Sequence, residues 1–120
     1  MRTFLDITKA LGDETRVRAL LALRNGELCL CHVVALLELA PSTVSKHMDL
    51  LVRAGLVERQ KNGRWAHFRL AGSDAPAAIR RALRWAQDAL GNDAVIARDA
   101  KRLVKIRGCD WKELSSCYKN

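Results

Sequence analysis

The sequence predicts a mainly α-helical fold with a β-hairpin wing, the winged helix-turn-helix. Apolar residues recur at helical spacing through most of the chain. Only the short break Ala40-Pro41-Ser42 separates the third helical stretch from the fourth, as a helix-turn-helix requires. After the fourth stretch the period changes to that of strands on both sides of Asn62-Gly63, a strong hairpin signal, and then the helical period returns.

Each element has its own local reason. Phe4, Ile7, Thr8 and Leu11 suit one face of a short first helix, which Gly12 ends. Asp13 is the expected N-cap of a second helix, from Glu14 to about Leu23, with Val17, Leu20 and Leu21 in line. Asn25-Gly26 stops it. A third helix is expected over 31–39, with Val33, Val34, Leu36 and Leu37 apolar. Pro41 disfavours helix at Ala40, and Ser42 is the expected cap of a fourth helix running to about Ala54, with Val44, Met48 and Leu51 as its buried stripe. Gly55 is the expected left-handed stop. Strands are expected over 56–61 and 65–70. Two helices complete the reading, 75–90 with Ile79, Leu83, Ala86 and Leu90 on one side, and 93–107 with Ile96, Ala100 and Leu103 in line. We expect residues 1–92 to form one winged helix-turn-helix domain, and 93–120 a C-terminal helix with a cysteine-bearing tail.

Composition narrows the function. The chain has 120 residues, a length that favours one domain, and 49% hydrophobic residues, which argues against disorder. Only 5% are aromatic, which disfavours a stacking platform for single strands. Charges interrupt every apolar run, and Met1-Arg2-Thr3-Phe4-Leu5-Asp6 lacks the apolar segment of a secretory signal, so no membrane association and a cytoplasmic location with reduced cysteines are expected. The net charge is +8, and its excess is uneven. Residues 1–40 are balanced. Residues 41–70 carry Lys46, Arg53, Arg59, Lys61, Arg64 and Arg69 against Asp49 and Glu58, and a second excess lies within 80–107. Such clustering suits a polyanion, although solvated basic side chains alone would look the same.

The fourth helix begins Ser42-Thr43-Val44-Ser45-Lys46-His47-Met48. With Val44 and Met48 buried, Ser42, Thr43, Ser45, Lys46 and His47 remain to meet a major groove. Hydroxyls there donate to phosphates or base edges, and Lys46 neutralises a phosphate. Lys61, Asn62 and Arg64 at the hairpin tip suit the backbone or a minor groove. Taken singly, each feature also fits an ordinary polar face or charged turn. Together with the order of elements, they point to double-stranded DNA.

At this point the motifs Leu11-Gly12-Asp13-Glu14-Thr15-Arg16-Val17-Arg18, Glu27-Leu28-Cys29-Leu30-Cys31, Ser42 to Met48, Ala54-Gly55-Leu56-Val57 and Asn62-Gly63-Arg64 resemble the ArsR/SmtB family of metal-sensing repressors, over about residues 4–90. The resemblance implies a homodimer that leaves its operator when metal binds. It assigns the DNA-reading positions to Ser42, Thr43, Ser45, Lys46 and His47, and the dimerisation positions to the first helix and the helix at 75–90.

The cysteines are the remaining motif. On a regular helix Cys29 and Cys31 would point roughly 200° apart and could not share an ion. In an extended segment they share a face. A helix N-terminus also lowers a thiol pKa and so favours the thiolate that soft ions take. Two buried small hydrophobes would look alike by sequence. Glu-Leu-Cys-x-Cys at the start of the third helix resembles the family's thiolate site for trivalent arsenic and antimony, and so implies arsenic or antimony as effector. The chain departs from that pattern: some relatives carry a third cysteine where Val34 stands, and the residue after the pair is His32. No cysteine precedes Cys29 and no histidine follows His67, which disfavours the family's other cadmium, lead and zinc sites. The expected third soft ligand is a tail cysteine, Cys117 ahead of Cys109. His32 is expected to be a surface or hydrogen-bonded helix residue, His67 an outward strand residue, and His47 part of the DNA surface. The rival functions are a thiol redox repressor of the same fold, a zinc- or cadmium-responsive repressor, and a DNA-binding module without an effector. An enzyme is disfavoured, because the chain has no nucleotide-binding glycine loop and no separate substrate domain.

Overall fold

Helix α1, Arg2–Leu11, opens the chain and buries Ile7 and Ala10. Phe4 does not join that buried face; it is 65% exposed. In the computed structural model, which describes residues 1–62 and 65–108, α1 is followed by α2 (Glu14–Ala22), a short 3-10 turn over Leu23–Asn25, strand β1 (Leu28–Cys29), α3 (Leu30–Leu37), α4 (Pro41–Arg53), β2 (Val57–Asn62), β3 (Trp65–Leu70), α5 (Ala77–Leu90) and α6 (Ala94–Gly108). The expected helices are all present, and the fold is a winged helix-turn-helix. No helix of the described residues is long and apolar enough to cross a membrane.

Local chemistry explains the boundaries. Asp13 caps α2 by accepting the Arg16 amide hydrogen at 3.1 Å, as its position predicts. Gly26 ends the following turn at φ 135°, a conformation open to glycine. Several boundaries depart from the sequence reading: α5 starts at Ala77 rather than at residue 75, and two departures at the turn into α4 have a clear local cause. Helix α3 stops at Leu37, because Glu38 adopts a left-handed conformation at φ 56°. Ser42 is not a cap: α4 starts at Pro41, with Ala40 extended before it. Proline suits the first helical position because its φ is already helical and it has no amide hydrogen to leave unsatisfied. Gly55 takes the expected positive φ, 86°.

The sheet has one more strand than the hairpin predicts. Its order is β1-β3-β2, all antiparallel, with Leu28 opposite Phe68 and Cys29 opposite His67. Two residues are too few to show alternation, so β1 carries no sequence signal. The hairpin register pairs Asn62 with Trp65, so Asn62 belongs to β2; Gly63 and Arg64 lie outside the described residues. Val44, Met48 and Leu51 pack at full burial with Leu20, Val33, Leu36, Leu56 and Phe68. Helices α2 and α3 both pack against α4 and against α6. The core therefore anchors α4 from behind, and its opposite face is left for a partner.

Candidate thiol site and nucleic-acid interface

The thiol pair lies where β1 becomes α3. Cys29 is the N-cap of α3, with an extended backbone (φ −71°, ψ 153°). Its Sγ accepts the Cys31 amide hydrogen at 3.4 Å, and its own amide donates to His32 Nδ1 at 3.1 Å. Both thiols are free and buried. The pairing of β1 with β3 holds Cys29 extended, so the two thiols are not splayed as they would be within one helix. The Cys31 thiol donating to Cys29 pulls the Cys29 pKa down to about 6 against the cost of burial; nearby His67 and the backbone amides act in the same direction. The same bond, with burial, pushes the Cys31 thiol up.

The histidines fall in three different settings. His32 is half-buried, its Nδ1 already accepts a hydrogen bond, and burial lowers its pKa. His67 is not simply outward: it is half-buried, pairs across the sheet with Cys29, and sits 3.7 Å from the Glu27 carboxylate. His47 turns toward α2, its Nδ1 3.2 Å from an Arg16 guanidinium nitrogen. Among the described residues no group of three His, Cys, Asp or Glu side chains is arranged to hold a metal ion. Val34 is half-buried on α3. Cys109 and Cys117 lie outside the described residues.

Helix α4 exposes Ser42, Thr43 and Lys46, while Ser45 is half-buried. The first-turn amides and the positive end of the helix dipole lie beside these hydroxyls, which suits a phosphate. The one acid on this stretch, Asp49, is held by Arg59 of β2, whose guanidinium also lies over the Phe68 ring at 5.3 Å from its centroid. That pair ties the wing to α4 and neutralises the carboxylate on this basic face. Lys61 is exposed near the wing tip. Asn62 is the last residue of β2; Arg64 lies outside the described residues.

Known proteins are similar to this chain. Residues 13–59, from the cap of α2 into β2, match the bacterial regulatory protein, arsR family. The arsenic resistance transcriptional regulator ArsR1 of Pseudomonas putida is 35% identical over 101 residues, covering 83% of this chain and 77% of that one. The ArsR2 regulator of the same species is 30% identical over 113 residues, covering 93% and 96%.

The chain belongs to the arsR family.

HlyU of Vibrio cholerae has a similar structure, with a TM-score of 0.57 and 28% identity over 70% of this chain and 91% of that one. As an arsR-family protein the chain is a DNA-binding transcriptional repressor and not an enzyme. The contacts that sequence reading missed in this arsR-family fold are those of Arg16, Arg18 and Asp99. Both arginines lie within the motif that follows Gly12, but the burial of Asp99 breaks the apolar pattern of its helix and could not be read from it.

Proposed function

We propose that this repressor leaves its operator when trivalent arsenic or antimony is held by Cys29 and Cys31. The supporting observation is the extended Cys29 at the cap of α3, which brings two soft donors to the start of the first helix of the DNA motif. These donors fit a thiophilic ion, and two thiols leave one coordination position of a three-coordinate ion to fill. A tail cysteine, Cys117 ahead of Cys109, is the proposed third ligand. Thiolate ligation would compete with the Sγ bond to the Cys31 amide, loosening the start of α3 and turning α4 against its twin. In a dimer, half-site spacing is geometric, so a small rotation degrades simultaneous docking. The proposed reading surface is Ser42, Thr43, Ser45, Lys46 and His47, with Lys61, Asn62 and Arg64 of the wing.

The protein acts in this reading as a cytoplasmic homodimer, joined through α1 and α5. Phe4 and Trp85, 65% and 66% exposed, line one cleft with Ile7, Leu11, Ala78 and Ala82. An apolar surface of that kind on a soluble chain calls for a partner, and a second copy supplies the same surface across a twofold axis.

Fluorescence anisotropy of the reduced protein on its promoter DNA tests the effector. Release by arsenite or antimonite, and not by zinc or cadmium, is the expected result. Serine in place of Cys109 or Cys117 should weaken that response. Retained DNA binding with every ion would overturn the effector assignment, and unchanged arsenite affinity in both tail variants would overturn the third ligand.

A further inference from the structure

Arg16 joins three helices. It sits at the first turn of α2, where its amide is capped by Asp13. Its side chain is 12% exposed and turns back to the end of α1. There Nε donates to the Ala10 carbonyl and Nη2 to the Lys9 carbonyl, both at 2.9 Å. These carbonyls belong to the last turn of α1, where the Lys9 carbonyl also accepts the Gly12 amide hydrogen at 3.3 Å. The third arm, Nη1, reaches His47 Nδ1 on α4 at 3.2 Å. A guanidinium only donates, so His47 Nδ1 accepts and its Nε2 carries the hydrogen. The rigid fork thus fixes the end of α1, the start of α2 and the middle of α4 at one point.

We propose that Arg16 is a positioning residue: it locks the reading helix α4 to α1 and thereby sets the distance and rotation between the two reading helices of the dimer. The inference rests on the reading of α1 as a dimer helix. If α1 is fixed at the twofold axis, every rotation of α4 relative to α1 appears twice, once in each half-site. Arg16 removes that freedom through two carbonyls on one side and an imidazole on the other. Only Gly12 and Asp13 separate α1 from α2, so the guanidinium fastens the two helices directly across that short link.

The test uses Arg16→Lys. Lysine keeps one cation for the α1 carbonyls but lacks the fork that spans to His47. The probe is a duplex enriched by the wild-type protein from a random-sequence pool, bearing two half-sites. Companion duplexes carry one half-site or two half-sites moved apart by two base pairs. The wild type should lose at least about tenfold in affinity on the respaced duplex, because two added base pairs rotate one half-site by about 70°. Arg16→Lys should bind the parent duplex about tenfold more weakly, bind a single half-site within about twofold of wild type, and discriminate spacing by less than about threefold. A residue that only stabilises the fold would weaken all three duplexes alike. Circular dichroism and sedimentation identify folded, dimeric variant. A dimer with undiminished spacing preference overturns the role of Arg16. A wild type that sediments as a monomer under saturating conditions overturns the dimer reading itself, and the proposal with it.

Discussion

At the scale of single residues, Cys29 does two things that ordinary mutagenesis would confound. It caps α3, and it is half of the thiol pair. Serine is a good N-cap, so Cys29→Ser keeps the helix start and removes only the soft donor. We expect Cys29→Ser to bind DNA as wild type and to ignore arsenite in the anisotropy titration, whereas Cys29→Ala should also lose about 1 kcal/mol in urea denaturation. The response of Cys29→Ser to arsenite would disprove the site. Asp13 offers a separate prediction. The Arg16 amide it caps holds its carboxyl below the usual range, despite the opposing effect of burial. A depressed carboxyl stabilises the fold fully above its unfolded value near pH 4, and that contribution is lost as pH falls through the folded value. The stability gap between wild type and Asp13→Asn should therefore be present at pH 6 and shrink on acidification to pH 3. The Asp13 cap was legible because its function is local, but the role of Cys29 depends on strand pairing with β3, more than thirty residues away.

Among the elements, α6 shows where sequence reading reaches its limit. Its periodicity marked a helix over 93–107 with Ile96 and Leu103 inward, and both are buried. The periodicity did not show that Asp99, 3% exposed, lies on the same face. Asp99 receives Arg18 of α2 through two hydrogen bonds of 2.7 and 3.1 Å. Further along, Arg102 donates to the Leu36 carbonyl at 3.0 Å and to Glu38 at 2.7 Å, stabilising the left-handed residue that ends α3. Arg107 reaches the Gly26 carbonyl at 3.4 Å. One helix thereby braces the turn that leads into β1 and the end of α3 before α4. Asp99→Ala should cost about 3 kcal/mol, since it strands a largely buried guanidinium. Arg18→Met combined with Asp99→Leu should recover most of that in urea denaturation; failure to recover would mean that the pair's geometry, and not its charge balance, supports α6. Among the turns, Pro41 outranked Ser42 as the start of α4 because a ring that presets φ decides the first helical residue, whereas a hydroxyl cap only rewards it.

For the whole molecule, the decisive question is what covers the face made by α1 and α5. The periodic stripes of both helices were visible in the sequence. Which stripe residues meet the chain's own core was not, because a helix with a core on one side and a partner on the other is apolar on both. Ile7, Ile79, Leu83 and Ala86 turn inward, whereas Phe4 and Trp85 stay in solvent within one monomer. Charge substitution at these two positions separates assembly from folding. Neither contributes to the buried core, so Phe4→Glu and Trp85→Glu should leave thermal stability measured at low concentration nearly unchanged, while two facing carboxylates per twofold axis oppose association. Sedimentation should then show a monomer. Binding of a two-half-site duplex should fall by about a hundredfold or more, because the second half-site is no longer held at a high effective concentration. Binding of a single half-site should be spared, because α4 and the wing are untouched. If the variants stay dimeric, the dimer is built on another surface; if they bind both duplexes as wild type does, the repressor does not need two reading helices at once.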